Sequence, residues 1–330
     1  MINNFWITIV FYVIIVGNIF PQKSLSGDEW KIINKENSDL PTNIIHSIYF
    51  DKNNTKWIGT WGAGLVKFNE KGFTIFNKEN SKVPNDKIYT IKEDSKGNIW
   101  FGTFGGGFVK YDGSEFKIFN TQNSNISSDW IYDFYIDDDV FWIGTWGGGF
   151  SKFNGTKWEM FSNKNSVVPY KVPSIIVDRN KDVWIGSIYG LMKKDNNDEH
   201  IVTVADTILP GSPVYCLLPL DDGTLWVGYK NNGIGFYDGK LWQYFSPKTL
   251  GFTNCYSLAV DKQNNLWVAT FAQGLAKFDG KKWTIFNTTN SPLPDRYVFS
   301  VSVDKYNNKW ISTFNKGIII FNEDGVKHIH

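Results

Sequence analysis

Cysteine is almost missing from this chain of 330 residues: only Cys216 and Cys255 occur, beside three methionines and four histidines. So few thiols and imidazoles exclude a disulfide-scaffolded mini-domain and offer no zinc-ligand spacing. The two cysteines fall at different positions of the inner strand in successive copies of a repeat, which reads as two buried thiols rather than a bridge. Charge of one sign is missing too. Against 34 Lys and Arg stand 33 Asp and Glu, a net +1 that makes no electrostatic case for nucleic acid.

Long apolar runs are limited to one. Residues 5–20, FWITIVFYVIIVGNIF, carry no charge and are followed by polar PQKSLSGDE. The run is short for a bilayer span of about 20 residues and fits the hydrophobic region of a secretory signal, with Ser24-Leu25-Ser26 as the small-x-small cleavage candidate. Residues 1–26 are therefore expected to be a signal peptide, or a short membrane anchor if uncleaved, and contact with a membrane is expected only in the second case. The body, 27–330, is expected outside the cytoplasm, periplasmic or secreted.

Aromatics, at 17% of the chain, are abundant and periodic. Trp57, Trp100, Trp142, Trp184, Trp226, Trp267 and Trp310 follow one another at 43, 42, 42, 42, 41 and 43 residues. A period of about 40 to 45 residues is that of a four-stranded propeller blade. In the first copy IIHSIYFD (44–51) has the apolar, β-branched composition of a strand and KNNT supplies turn chemistry. WIGTWGAGLVKF (57–68) gives strand, glycine-rich turn and strand, and GFTIF (72–76) gives a fourth strand. Copies begin near 43, 86, 129, 171, 212, 254 and 296. The fold class predicted is all-β, a seven-bladed β-propeller with four-stranded antiparallel blades, the last blade closed by a terminal strand. WKIINKENSDLP (30–41) matches the fourth strand and linker of a copy, and VKHIH (326–330) competes for the same place; edge closure favours the amino-terminal segment.

The pattern W-I-G-T-x-x-G-G-L, with an S-I-x-x-D strand before it, resembles the two-component regulator propeller repeats over about residues 43–322. The resemblance implies an extracytoplasmic, sensor-type propeller that binds a ligand. A second ring, a linker domain and a kinase are not part of the sequence, and WD40 and kelch signatures do not occur.

Enzyme chemistry has little support. The glycine runs at 105–107 and 147–149 precede strands rather than the helix a phosphate cradle needs. The Asp and Asn turns DKNN, DSKGN, DKQNN and DKYNN are too short to wrap calcium and read as self-capped turns. His200, His328 and His330 are scattered, with no nucleophile elbow and no recurrent carboxylate pair. A streptogramin-lyase-like site would lean on His and Glu near the axis, where only His46 is placed. No catalytic residue, metal or cofactor is expected.

The candidate site is an aromatic mouth. Four residues after the marker tryptophans stand Trp61, Phe104, Trp146, Ile188, Lys230, Phe271 and Phe314, and the inner strands open with His46, Tyr89, Tyr132, Tyr215, Tyr256 and Phe299. Two tiers of rings around a channel suit stacking on sugars or other flat, amphipathic groups, although an aromatic repeated in most copies is more often packing between blades. Departures from the repeat favour Tyr189, Tyr229, Lys230 and Asn231 as an asymmetric notch, with Asp133, where other copies have Ser or Thr, as a second candidate or a satisfied channel carboxylate. The function expected is a non-catalytic, sensor- or receptor-like propeller binding a small molecule or glycan, or a protein such as a separate signalling component. A protein-interaction scaffold and an exported lyase or glycan-active enzyme are the alternatives.

Overall fold

A computed structural model describes residues 27–162, 168–196, 201–204 and 208–329. The expected leader, 1–26, and His200 and His330 lie outside the described residues. Seven four-stranded antiparallel sheets form the ring, and in six of them the strands lie side by side in chain order. The seventh is closed by the amino terminus: Trp30–Ile33 pairs antiparallel with Ile318–Phe321, Trp30 opposite Phe321 and Ile33 opposite Ile318. The carboxyl tail does not take that place; Val326 N–H donates to the Asp28 carbonyl at 2.9 Å and runs beside the closing strand. Among the described residues no helix is long and apolar enough to cross a membrane.

The W-I-G-T motif explains how blades stack. Trp57, Trp100, Trp142, Trp184, Trp226, Trp267 and Trp310 are all buried, packed between adjacent sheets. Each hides on the order of 200 Å², roughly 4–6 kcal/mol of transfer free energy before ordering costs. The glycine two residues on is needed for close approach: a Cβ on Gly59 would stand 2.4 Å from Ser47 Oγ and 3.0 Å from the Ile88 carbonyl of the next blade. The threonine then closes the turn, since Thr60, Thr103, Thr145, Thr270 and Thr313 hydroxyls donate to the carbonyls of Gly64, Gly107, Gly149, Gly274 and Gly317 at 2.7–2.8 Å. At Gly107, φ is +91° and a Cβ would meet the Phe119 carbonyl at 2.3 Å, so no other residue fits.

The glycine turns also latch blade to blade. Gly62 and Gly64 N–H donate to the Asp86 carbonyl, Gly105 and Gly107 to that of Asp129, Gly147 to that of Tyr170, and Gly274 to that of Arg296. These N–H groups are consumed by backbone carbonyls, which is the physical reason they cradle no phosphate. The shorter turn of blade four, Ser187–Gly190, makes no such bond to blade five; Gly190 N–H is not among the inter-blade donors of the described residues.

Candidate functional site

Six inner strands open with a β-bulge, and the extra residue of each is an aromatic or His46. The register slips between Ile45 and Ser47, Ile88 and Thr90, Ile131 and Asp133, Val214 and Cys216, Cys255 and Ser257, and Val298 and Ser300. A bulge re-aims one side chain out of the pleat, here His46, Tyr89, Tyr132, Tyr215, Tyr256 and Phe299. Blade four has Pro173 instead and its inner strand begins only at Ser174.

These side chains pack on one another as a collar of rings. Ring centroids are 3.9 Å apart for His46 and Tyr89, 4.5 Å for Tyr89 and Tyr132, 5.2 Å for Tyr215 and Tyr256, and 5.3 Å for His46 and Phe299. The second tier rests on the first: Trp61, Phe104, Trp146, Phe271 and Phe314 each lie within 6.1 Å of a collar ring. The tiers are thus in mutual contact. Burial, followed by its tyrosine neighbours, raises Tyr132, and Tyr256 is pushed up to about 12 by burial and by Tyr215 and Tyr89, so both hydroxyls stay protonated. Desolvation lowers His46 to about 4. Neutral at ordinary pH, it sits 3.0 Å from the Tyr89 carbonyl through Nδ1, which must carry the proton to bond an acceptor.

The outer face is more extensive than the sequence reading supplied. Trp130, Tyr170 and Tyr297 join it, with Trp130 41% and Tyr170 40% exposed. Phe104 and Trp130 stack at 4.6 Å, Trp130 and Trp146 lie 6.3 Å apart, and Trp61 meets Phe104 at 5.3 Å, so blades one to three carry an unbroken aromatic crescent. Cations lie on it: Lys87 Nζ is 4.8 Å from the Trp61 ring centre and Lys171 Nζ 3.4 Å from that of Trp146. Arg296 lies 5.0 Å from Tyr297, and Lys230 Nζ 5.7 Å from Tyr215. The signal was available, because Lys87, Trp130 and Tyr297 stand two residues before the bulge position and Lys171 two before Pro173, its counterpart in blade four. Isolated bridges pair Trp61 with Lys87, Phe104 with Trp130, Trp146 with Lys171 and Phe271 with Tyr297, fixing this order.

The notch at blades four and five differs from the expectation. Tyr229 is fully buried and its ring packs beside Gly235, so it is part of the wall. Tyr189 is 67% exposed and Lys230 and Asn231 are exposed, with Asn231 N–H donating to Asn254 Oδ1 at 3.1 Å. The cavity beneath Tyr189, bounded also by Leu191, Leu209, Pro210 and Tyr229, measures about 50 Å³, room for a water or two rather than a sugar. Asp133 is the satisfied carboxylate: Oδ1 is 3.2 Å from Lys92 Nζ, and Oδ2 accepts from the Ser174 hydroxyl at 3.1 Å and Ile175 N–H at 3.2 Å. It ties blades two, three and four. A larger space, about 350 Å³, lies at the other end of the axis among Ile48, Phe50, Leu218, Leu258 and Val301. Among the described residues no three His, Cys, Asp or Glu side chains converge as a metal site.

A seven-bladed propeller of glycine-latched blades bearing one aromatic, cation-dotted face defines the class of protein. A profile of the two component regulator propeller family matches residues 82–105, 208–231 and 249–272, each running from the entry of an inner strand, or just before it, to the glycine-rich turn. Three of the chain's seven repeats thus match the model of the two component regulator propeller repeat. No curated protein matches the chain by sequence. Among solved structures it is similar to the extracellular domain described for the hybrid two component system BT3049 from B. thetaiotaomicron, at 19% identity and a TM-score of 0.77 over 90% of this chain and 42% of that one. The corresponding domain of BT4673 from the same organism gives 18% and 0.72, over 89% of this chain and 40% of that one. The chain therefore spans about two fifths of the length of those domains. Virginiamycin B lyase from Staphylococcus aureus shares 13% identity and a TM-score of 0.72, over 88% of this chain and 98% of the lyase. At these identities the likeness is one of fold.

Proposed function

We propose that this chain is an exported, non-catalytic binding propeller, sensor- or receptor-like, that takes a glycan on its aromatic face. The carrying observation is the unbroken, part-exposed series Trp61, Phe104, Trp130 and Trp146 with Lys87 and Lys171 laid upon it. Flat rings with polar edges stack on the apolar faces of sugars, and lysines beside them bond hydroxyls or acidic substituents. Location outside the cytoplasm is supported by the leader-like residues 5–20 and by the extracellular origin of the B. thetaiotaomicron domains it resembles. A lyase is less well supported, since the axial His46 spends Nδ1 on a backbone carbonyl and has no carboxylate within hydrogen-bond reach among the described residues.

A glycan array followed by calorimetry on the purified protein tests this. Trp130→Ala and Trp146→Ala should each abolish or weaken binding at least tenfold while the melting temperature changes little. Lys230→Ala reports whether the blade-five edge takes part. Binding that survives both tryptophan variants, or an array with no glycan bound, overturns the assignment and leaves the scaffold reading with a protein partner.

A further inference from the structure

Cys216 and Cys255, the chain's only cysteines, face each other across the interface of blades five and six with sulfurs 3.3 Å apart. Their different positions along their strands favour two buried thiols over a bridge when the sequence is read alone. That difference is what brings them together. At the interfaces over Gly59, Gly102 and Gly228 the residue after the bulge in one blade meets the residue before the bulge in the next, both over the glycine of the W-x-G motif. Ser47 and Ile88 share Gly59, Thr90 and Ile131 share Gly102, and both sulfurs stand 2.4 Å from where a Cβ of Gly228 would be. Elsewhere the equivalent pair is Ser, Thr or Asp133 with a β-branched residue; here alone both members are cysteine.

We infer that Cys216 and Cys255 form a disulfide that staples blade five to blade six when the chain matures in an oxidising compartment. An S–S bond needs about 2.05 Å, so the sulfurs must close by about 1.2 Å, within the reach of side-chain rotation. Two S–H bonds break and one S–S bond forms. The two electrons and, by way of solvent, the two protons pass to an acceptor disulfide, of a thiol–disulfide oxidoreductase or oxidised glutathione, which leaves as two thiols. Cys216 is 9% and Cys255 0% exposed, so the exchange belongs to the folding chain, before blade six closes over the pair. Once the ring is shut, either redox form is shielded from exchange.

The experiment unfolds the full chain, refolds it in a mixture of reduced and oxidised glutathione, unfolds it again in excess alkylating agent and measures the intact mass. The expected product is two hydrogens lighter than the dithiol, free of alkyl adducts, with the peptides of Cys216 and Cys255 joined. Its melting temperature should fall by about 5–10 °C when reductant is present during refolding, as expected for a loop of 39 residues. The double variant Cys216→Ser, Cys255→Val, which installs the pair found at Ser174 and Val214, should show no response to reductant. Two alkyl adducts on the oxidatively refolded chain, a linkage between chains, or a melting temperature indifferent to reductant overturns the inference.

Discussion

Trp267 Nε1 donates to Asp261 Oδ2 at 2.8 Å, and Lys309 of the next blade approaches the same oxygen at 3.5 Å with its ammonium 5.0 Å from the Trp267 ring. Asp261 also accepts from the backbone and side-chain amides of Asn265. Burial opposes its charge, yet these bonds from Asn265 and Trp267 hold its carboxyl below the ordinary range, while desolvation lowers Lys309 despite Asp261. The turn acid seen in sequence as a self-capped turn is therefore also the anchor of a marker tryptophan. The same tryptophan-to-acid bond joins Trp57 to Asp51, Trp100 to Asp94, Trp184 to Asp178 and Trp310 to Asp304.

Removing the carboxylate leaves a buried ammonium without its counter-charge and an indole N–H without its acceptor, so Asp261→Ala should cost about 3–5 kcal/mol in urea unfolding followed by tryptophan fluorescence. Lys309→Met keeps the volume and leaves Asp261 its bonds from Asn265 and Trp267 though not its counter-charge; it should therefore cost less than Asp261→Ala. Because Asp261 is depressed in the fold, its contribution is present above the ordinary carboxylate range and is lost as pH falls through the folded value. Asp261→Ala should accordingly flatten the acid limb of the stability curve.

His46 gives a second pH signature at higher pH. Its value falls from 6.5 to about 4 through burial among Trp61, Tyr89 and Phe299, none of which carries charge near neutrality. The unfolded chain binds this proton more readily than the folded one, so stability is full above pH 6.5 and is lost between there and pH 4, by about 3 kcal/mol at most. His46→Phe installs the residue of the equivalent position 299 and should remove that slope in melts taken from pH 7 to pH 4. An unchanged slope would place the titrating group elsewhere.

The tryptophan beat carries the blade count because each marker must fill the same inter-sheet gap, and the glycine and threonine beside it answer to local steric demands. Closure was legible too, in the match of WKII to other fourth strands. Less legible was anything depending on which residues of neighbouring blades meet. Trp130 and Lys171 stand in linkers of varied composition, and only the bridge from each glycine turn to the next blade brings them onto the aromatic face. Asp133 looked exceptional along its strand, yet its partners Lys92 and Ser174 lie on the blades to either side. The cysteine pair was hidden by the same offset between blades.

Gly144 tests the stacking rule without touching the face. A Cβ there would stand 2.6 Å from the Val172 carbonyl oxygen, a backbone atom of the next blade whose residue is tied by its N–H to the Thr145 carbonyl at 3.0 Å. Blades six and seven carry Ala269 and Ser312 at this position, so a side chain is tolerated only where the neighbouring entry has been built around it. Gly144→Ala should lose about 1–3 kcal/mol by overpacking. Gly113→Ala, where nothing lies within 4 Å but φ is +100°, separates backbone strain from crowding and should cost no more than about 1–2 kcal/mol. Equal losses in the two would mean that crowding between blades is not what the motif glycine relieves.

The amino-terminal strand should matter more than its four residues suggest. Trp30 stacks on Phe321 with centroids 4.1 Å apart and lies 6.1 Å from Phe286 of blade six, so one side chain spans the last two blades. Ile33 belongs to the core shared by blades seven and one, with Ile45, Ile58 and Ile318. Deleting residues 1–42 would expose the edge of Ile318–Phe321, all four residues of which are fully buried in the closed ring. An apolar open edge pairs with other chains. The shortened chain should therefore elute as oligomers or aggregate on size exclusion, whereas a chain beginning at Gly27 should run as a compact species. Trp30→Ala in that longer chain should cost about 3–5 kcal/mol while leaving it compact. If the chain starting at residue 43 stays compact and melts like the longer one, the closing strand contributes nothing and the ring is held by the blade interfaces alone.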